Sequence, residues 1–137
     1  MNSRDNSCCI SNILEIIVKL QNCSESFECG KDGCDRPFLG PIPTTACYNT
    51  RPINLYHCED GTLWEFNYTL NGTTGTSSVF RCEQVDDCCA TCRVLAPNPD
   101  ETEQATIPYV STNSFFTINL KCVGAITCLA DTYVSII

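Results

Sequence analysis

The chain is poor in several things at once. It has one histidine, His57, one methionine and one tryptophan, and only eight Lys and Arg among 137 residues. Eight basic residues against sixteen acidic ones leave a net charge of −8. That balance argues against nucleic acid and against an anionic membrane surface as partners. No long apolar run is present: residues 10–20 are mostly apolar but short, and Glu15 and Lys19 interrupt them. Such a run cannot cross a bilayer, so no membrane insertion is expected. Residues 1–9 carry no apolar stretch of the kind a signal peptide needs, yet disulfides need an oxidising compartment. Either the numbering begins after a cleaved signal, or the cysteines bind metal, or the protein is oxidised after its cell breaks open. Internal repeats and low-complexity tracts are absent too.

What is abundant is cysteine: 13 residues, an odd number. That density marks a disulfide-stapled protein. The odd count leaves at least one thiol without a partner in its own chain, either free or paired between molecules. The length supports one folding unit with a real core, so the cysteines supplement that core.

Three segments follow from the pattern. In residues 1–21 a polar stub leads into an amphipathic helix, with Cys9, Ile10, Ile13, Leu14, Ile17 and Leu20 at helical spacing and Ser7 or Ser11 as its cap. The helix either lies on the core or, because Ile16 and Val18 widen its apolar surface, binds a partner. Residues 22–52 are rich in Cys, Pro and Gly and lack periodicity, so they read as an irregular loop held by Cys23, Cys29 and Cys34. Residues 53–137 alternate with period two. Trp64, Phe66, Tyr68 and Leu70 are followed by Asn71-Gly72, a hairpin dipeptide; strands are expected over 79–85 and 91–96, and Phe116, Ile118, Leu120 and Cys122 mark the clearest one. The fold class is therefore mainly β, an antiparallel sandwich or jelly-roll-like domain with an N-terminal α-helix and a Cys-rich loop.

The cysteines admit several chemistries. Cys89-Ala-Thr-Cys92 has zinc-knuckle spacing, but a structural site usually takes its four ligands from two such pairs. No second CxxC exists, and Cys29 with Cys34 could complete a site only at loose spacing. A redox CxxC sits at a helix start, where the thiol pKa falls; here Asp86, Asp87 and strand-like residues flank it, which is the wrong sign. His57 precedes Cys58 directly, and neighbours in a strand face opposite ways, so a Cys–His hydrolase is poorly supported. No catalytic residue, metal ligand or cofactor is assigned. Cross-linking remains. Cys8-Cys9 and Cys88-Cys89 are vicinal pairs, and a bond between neighbours is strained, so each member pairs elsewhere. Cys8 and Cys9 on the N-terminal stub, and Cys88 and Cys89 with one of the two facing outward, are the candidates for intermolecular disulfides. Cys23, Cys29, Cys34, Cys92, Cys122 and Cys128 are the candidates for structural ones. Asn67-Tyr-Thr69 and Asn71-Gly-Thr73 fit the glycosylation pattern and keep open a different reading, a small secreted disulfide-rich monomeric binding module.

Five sequence blocks resemble the cysteine-rich spore-coat family of bacilli that includes CotY, CotZ and ExsY. They are Leu20-Gln-Asn-Cys23; Cys29-Gly-x-x-Gly-Cys34 with Pro37-Phe-Leu-Gly40; Asn49-Thr-Arg-Pro-Ile-Asn-Leu-Tyr56; Phe80-Arg-x-Glu-x-Val-Asp-Asp87 leading to Cys92-Arg-Val-Leu95; and Thr117-Ile-Asn-Leu-Lys-Cys122 followed by Ala125-Ile-Thr-Cys128-Leu. The resemblance implies a non-enzymatic structural protein of the endospore surface, made in the mother-cell cytoplasm without a signal peptide and oxidised after that cell lyses. It implies self-assembly into a disulfide-cross-linked, hexameric lattice in the coat or the exosporium basal layer, beside other spore-surface proteins. The family pattern has Phe and Cys near position 124, where this chain has Val123 and Gly124, so disulfide connectivity does not carry over.

Overall fold

A computed structural model describes residues 9–25 and 48–135. Most of the Cys-rich loop expected over 22–52 lies outside the described residues, as do Cys8, Cys29 and Cys34. The architecture is mainly β and antiparallel, with one N-terminal helix, α1 (Cys9–Glu25). The strands are β1 (Ile53–His57), β2 (Phe66–Leu70), β3 (Thr73–Ser77), β4 (Phe80–Asp86), β5 (Cys89–Pro97), β6 (Tyr109–Asn119) and β7 (Val123–Cys128). Five of them form one sheet in the order β6-β5-β4-β1-β7, and β2 and β3 form a separate hairpin.

The hairpin follows directly from its sequence. Asn71 and Gly72 both have positive φ, 53° and 80°, as a type I′ turn requires. The alternation then sends Phe66 inward, where it stacks on Phe116 of β6 at 3.8 Å and meets Phe80 of β4 edge-on at 5.7 Å. The hairpin thus forms a second layer over the sheet. The β4–β5 turn uses Asp87 at φ 60°, and its neighbour Cys88 completes a two-residue loop.

The helix covers another part of the same core, through Leu14 and Ile17. Its inward stripe is rotated from the one the apolar spacing predicts. Ser11 and Gln21 are buried, while Ile13, Ile16 and Leu20 are exposed. Gln21 explains the rotation: its Nε2 donates to the Cys82 carbonyl at 2.8 Å, and its Oε1 accepts from the Arg51 N–H at 3.1 Å. Two long-range hydrogen bonds fix a polar side chain inside and turn part of the apolar stripe outward. Ser11 lies within the helix, not at its cap; Ser7 is outside the described residues.

The expected strand over 116–122 ends early. Asn119 Oδ1 accepts from the Lys121 N–H, and Leu120–Cys122 coil into a 3-10 turn before β7 begins. This turn joins the two edge strands of the sheet. In a flat sheet they would stand about 19 Å apart, four spacings of ~4.8 Å. A 3-10 turn advances only ~2 Å per residue, about 6 Å in all. The sheet is therefore strongly curled, and the end of β6 is drawn to the start of β7.

Candidate functional site

Each strand end fixes where a thiol stands. Among the described residues, Cys9, Cys58, Cys89, Cys122 and Cys128 are exposed free thiols, and Cys82 and Cys92 are buried ones. Cys88 is disulfide-bonded. Cys23 lies in the last turn of α1. The expected candidates thus occupy quite different surroundings, and Cys58 and Cys82, to which sequence reasoning gave no role, join them.

Four cysteines converge where the 3-10 turn draws the sheet edges together. Cys89 stands opposite Asn119 in the β5–β6 ladder, and the Leu120 N–H donates to the Cys88 carbonyl at 2.8 Å. Two residues on, the Cys122 carbonyl accepts from the Cys58 N–H at 3.0 Å. Cys58 and Cys122 are therefore paired across the β1–β7 end, and Cys88 and Cys89 abut the same short turn. The loop bearing Cys58 is held locally. The His57 N–H donates to the Thr62 carbonyl at 2.8 Å, Gly61 sits at φ 74°, and Asp60 accepts from both the Thr62 N–H and its hydroxyl. Those bonds from Thr62 lower the Asp60 pKa from the usual carboxylate range. A shallow depression lined by His57, Cys58, Gly61, Gly124 and Ala125 opens beside the corner.

Cys128 is elsewhere. It ends β7 opposite Ile53, about 20 Å along the strand from Cys122 at ~3.4 Å per residue. Cys9 opens α1, one turn before the exposed row of Ile13, Ile16 and Leu20; Ile16 is the barest of these at 58%. Among the described residues, the outward thiols thus occupy three stations: the corner, the far end of β7, and the helix start.

The CxxC spacing is divided by the pleat. Residues three apart in a strand face opposite ways, so Cys89 is exposed while Cys92 points into the core. No group of three or more His, Cys, Asp or Glu that could hold a metal occurs among the described residues. His57 lies flat on Trp64, ring centroids 3.8 Å apart, which is a packing role. No described helix is long and apolar enough to cross a membrane.

The sheet that carries the corner is braced on its other face by buried charge. Glu83 bridges two arginines, accepting from Arg81 at 2.8 Å and from Arg93 at 3.1 Å. Arg81 also donates to the Thr50 hydroxyl and the Asn49 carbonyl, and Arg93 to the Thr112 carbonyl while lying over the Phe115 ring. Each buried guanidinium has a carboxylate and neutral acceptors, the condition for keeping such charges inside.

Against known proteins, the family description Spore coat protein Z matches residues 1–131. No curated protein and no solved structure matches. With nearly its whole length matched, and with a cysteine-rich, mainly β structure, the chain belongs to the spore coat protein Z family, whose role in the spore coat is structural.

Proposed function

We propose that the protein assembles with copies of itself into a disulfide-cross-linked, hexameric lattice forming an outer layer of the bacterial endospore, coat or exosporium basal layer. The observation that carries this is the distribution of exposed thiols in a spore coat chain. A two-dimensional array needs at least two different contacts per subunit. Cys58, Cys89 and Cys122 at the corner, Cys128 at the far end of β7 and Cys9 at the helix start supply separated points of attachment. Cys8, the other candidate near the helix start, lies outside the described residues, and Cys88 is already disulfide-bonded, which leaves Cys89 as the bridging member of its pair.

Assembly then has two stages. In the reducing mother-cell cytosol, packing sets the array, and the apolar row Ile13, Ile16 and Leu20 on α1 supplies one contact area. Oxidation follows when the mother cell lyses, and the bonds lock neighbours already in register. That order prevents random cross-linking.

Electrophoresis of assembled material with and without reductant tests the reading, alongside negative-stain electron microscopy. Ladders that collapse to monomer on reduction, from ordered sheets, are expected. Identical monomer bands in both lanes overturn it. Replacing Cys58, Cys89, Cys122 and Cys128 together by Ser is expected to leave sheets that dissolve in mild denaturant.

A further inference from the structure

Two cysteines take no part in the outward set. Cys82 on β4 and Cys92 on β5 occupy directly opposite positions in the antiparallel ladder, and both are fully buried. Opposite residues point to the same face. Their Cα atoms stand ~4.5 Å or ~5.5 Å apart, depending on which type of pair they form. Both spacings fall within the ~4.4–6.8 Å that a disulfide spans. The ladder has an extra residue immediately after Cys82, at Glu83, and such a bulge lets the strand twist locally. The side chains already interact. The Cys92 S–H donates to the Cys82 sulfur, which lowers the Cys82 pKa; the same contact, with burial, pushes Cys92 well up.

We infer that Cys82 and Cys92 are a dithiol built into the core, which closes to an intrachain disulfide when a peroxide-class oxidant reaches it. The Cys82 thiolate attacks one oxygen of hydrogen peroxide, the O–O bond breaks, and the hydroxide released takes up a proton to leave as water. The Cys82 sulfenic acid so formed is then attacked by the Cys92 sulfur. The S–S bond forms, the S–O bond breaks, and the departing hydroxide carries off the Cys92 proton as a second water. Two thiols and one peroxide thus give one disulfide and two waters.

The position assigns the bond a task that exposed bridges cannot perform. It ties β4 to β5 one hairpin length below the Asp87-Cys88 turn, and so clamps the element that presents Cys89. Because Leu14 and Ile17 of α1 cover the same core, and Gln21 is bonded to the Cys82 carbonyl, peroxide enters only when the helix lifts. Closure is therefore slow relative to reaction at exposed thiols, and reaches completion last.

Disulfide mapping on gel-purified monomer tests this independently of the lattice, since an intrachain bond exists whether or not copies cross-link. Reduced, full-length protein is treated with dilute hydrogen peroxide, alkylated after unfolding, and cleaved after Arg81 and Arg93 and before Asp86 and Asp87. The Cys82 fragment then separates from the one holding Cys88, Cys89 and Cys92 unless bonded to it. A Cys82–Cys92 link in most molecules is expected, forming at least about tenfold more slowly than Cys58 reacts. The thermal midpoint of the treated protein is expected to rise by roughly 10 °C. Cys82→Ala or Cys92→Ala should abolish that rise, and Cys58→Ser should keep it. Recovery of Cys82 and Cys92 as separately alkylated thiols, their bonding to other cysteines, or a rise that survives either alanine variant overturns the inference.

Discussion

Gly124 lies directly against the backbone of Cys58: a Cβ built on it would stand 2.8 Å from the Cys58 Cα. The contact falls where the β1–β7 register shifts, between Tyr56 and His57, and it closes the thiol corner. The obstacle is main chain, so no flexible side chain can move aside. Gly124→Ala is therefore expected to cost about 1–3 kcal/mol and to part the Cys58 N–H from the Cys122 carbonyl. Chemical denaturation of the reduced protein checks it; an unchanged midpoint would show that the corner yields without cost.

Among the described residues, Glu83 is the carboxylate that bridges Arg81 and Arg93. Glu83→Gln removes the charge that the two buried guanidinium groups share. A loss of about 2–4 kcal/mol is expected, set mainly by the two buried ion pairs that break at once. Glu83→Gln with Arg93→Met should recover part of that loss. A double variant no more stable than the single one would argue that the two do not act as a unit.

Gln21 holds the helix in its rotated seat through one bond to β4 and one to the Arg51 N–H. Replacing it by Ala leaves the Cys82 carbonyl and that N–H without partners in a closed space, for an expected loss of about 1–3 kcal/mol. Hydrogen exchange offers a sharper readout: protection along α1 should fall more than in β5 and β6. Uniform loss everywhere would contradict a local anchor.

Arg51 and Asp131 form a two-pronged ion pair, 2.7 and 2.9 Å, that fastens the segment before β1 to the one after β7. Hydrogen bonding from Arg51 holds the Asp131 carboxyl below its usual range. A carboxyl lowered on folding contributes stability that is complete above its unfolded value, about 3.9, and disappears as pH falls through the folded one. Both partners are roughly a third exposed, so the contribution is small, about 0.5–1 kcal/mol. The stability difference between the protein and Asp131→Asn should therefore begin to fall below about pH 4, vanish only in stronger acid below the folded value, and shrink with added salt at neutral pH. A difference that grows in acid has the wrong sign for this pair.

Features governed by neighbours in the chain could be read in advance. The alternation from Phe66 to Leu70 and the Asn71-Gly72 turn needed no distant partner, and the hairpin forms where they lie. The helix was legible as a helix but not in its orientation, because only tertiary contacts tell that Gln21 is worth burying. The strand through Phe116 and Ile118 was visible, yet its end was not: Asn119 competes locally for the Lys121 amide and coils the chain. The cysteines show the same division. That Cys89 and Cys92 face opposite ways follows from a strand's period of two. The facing of Cys82 with Cys92 depends on ladder register, and the meeting of Cys58 with Cys122 on how far the sheet curls. Neither is encoded in local spacing.

The ladder between β1 and β7 has a mechanical consequence. Its pairs run from Ile53 with Cys128 to His57 with Val123, and exposed thiols stand at or just beyond both ends of β7. If one neighbour grips Cys122 and another grips Cys128, tension in the layer runs lengthwise along β7. Such a pull is carried by the extended covalent backbone of β7 itself and leaves the cross-strand bonds to β1 largely unloaded, where a sideways pull from one end would open them in turn. A subunit gripped at those two thiols would meet tension along its stiffest direction.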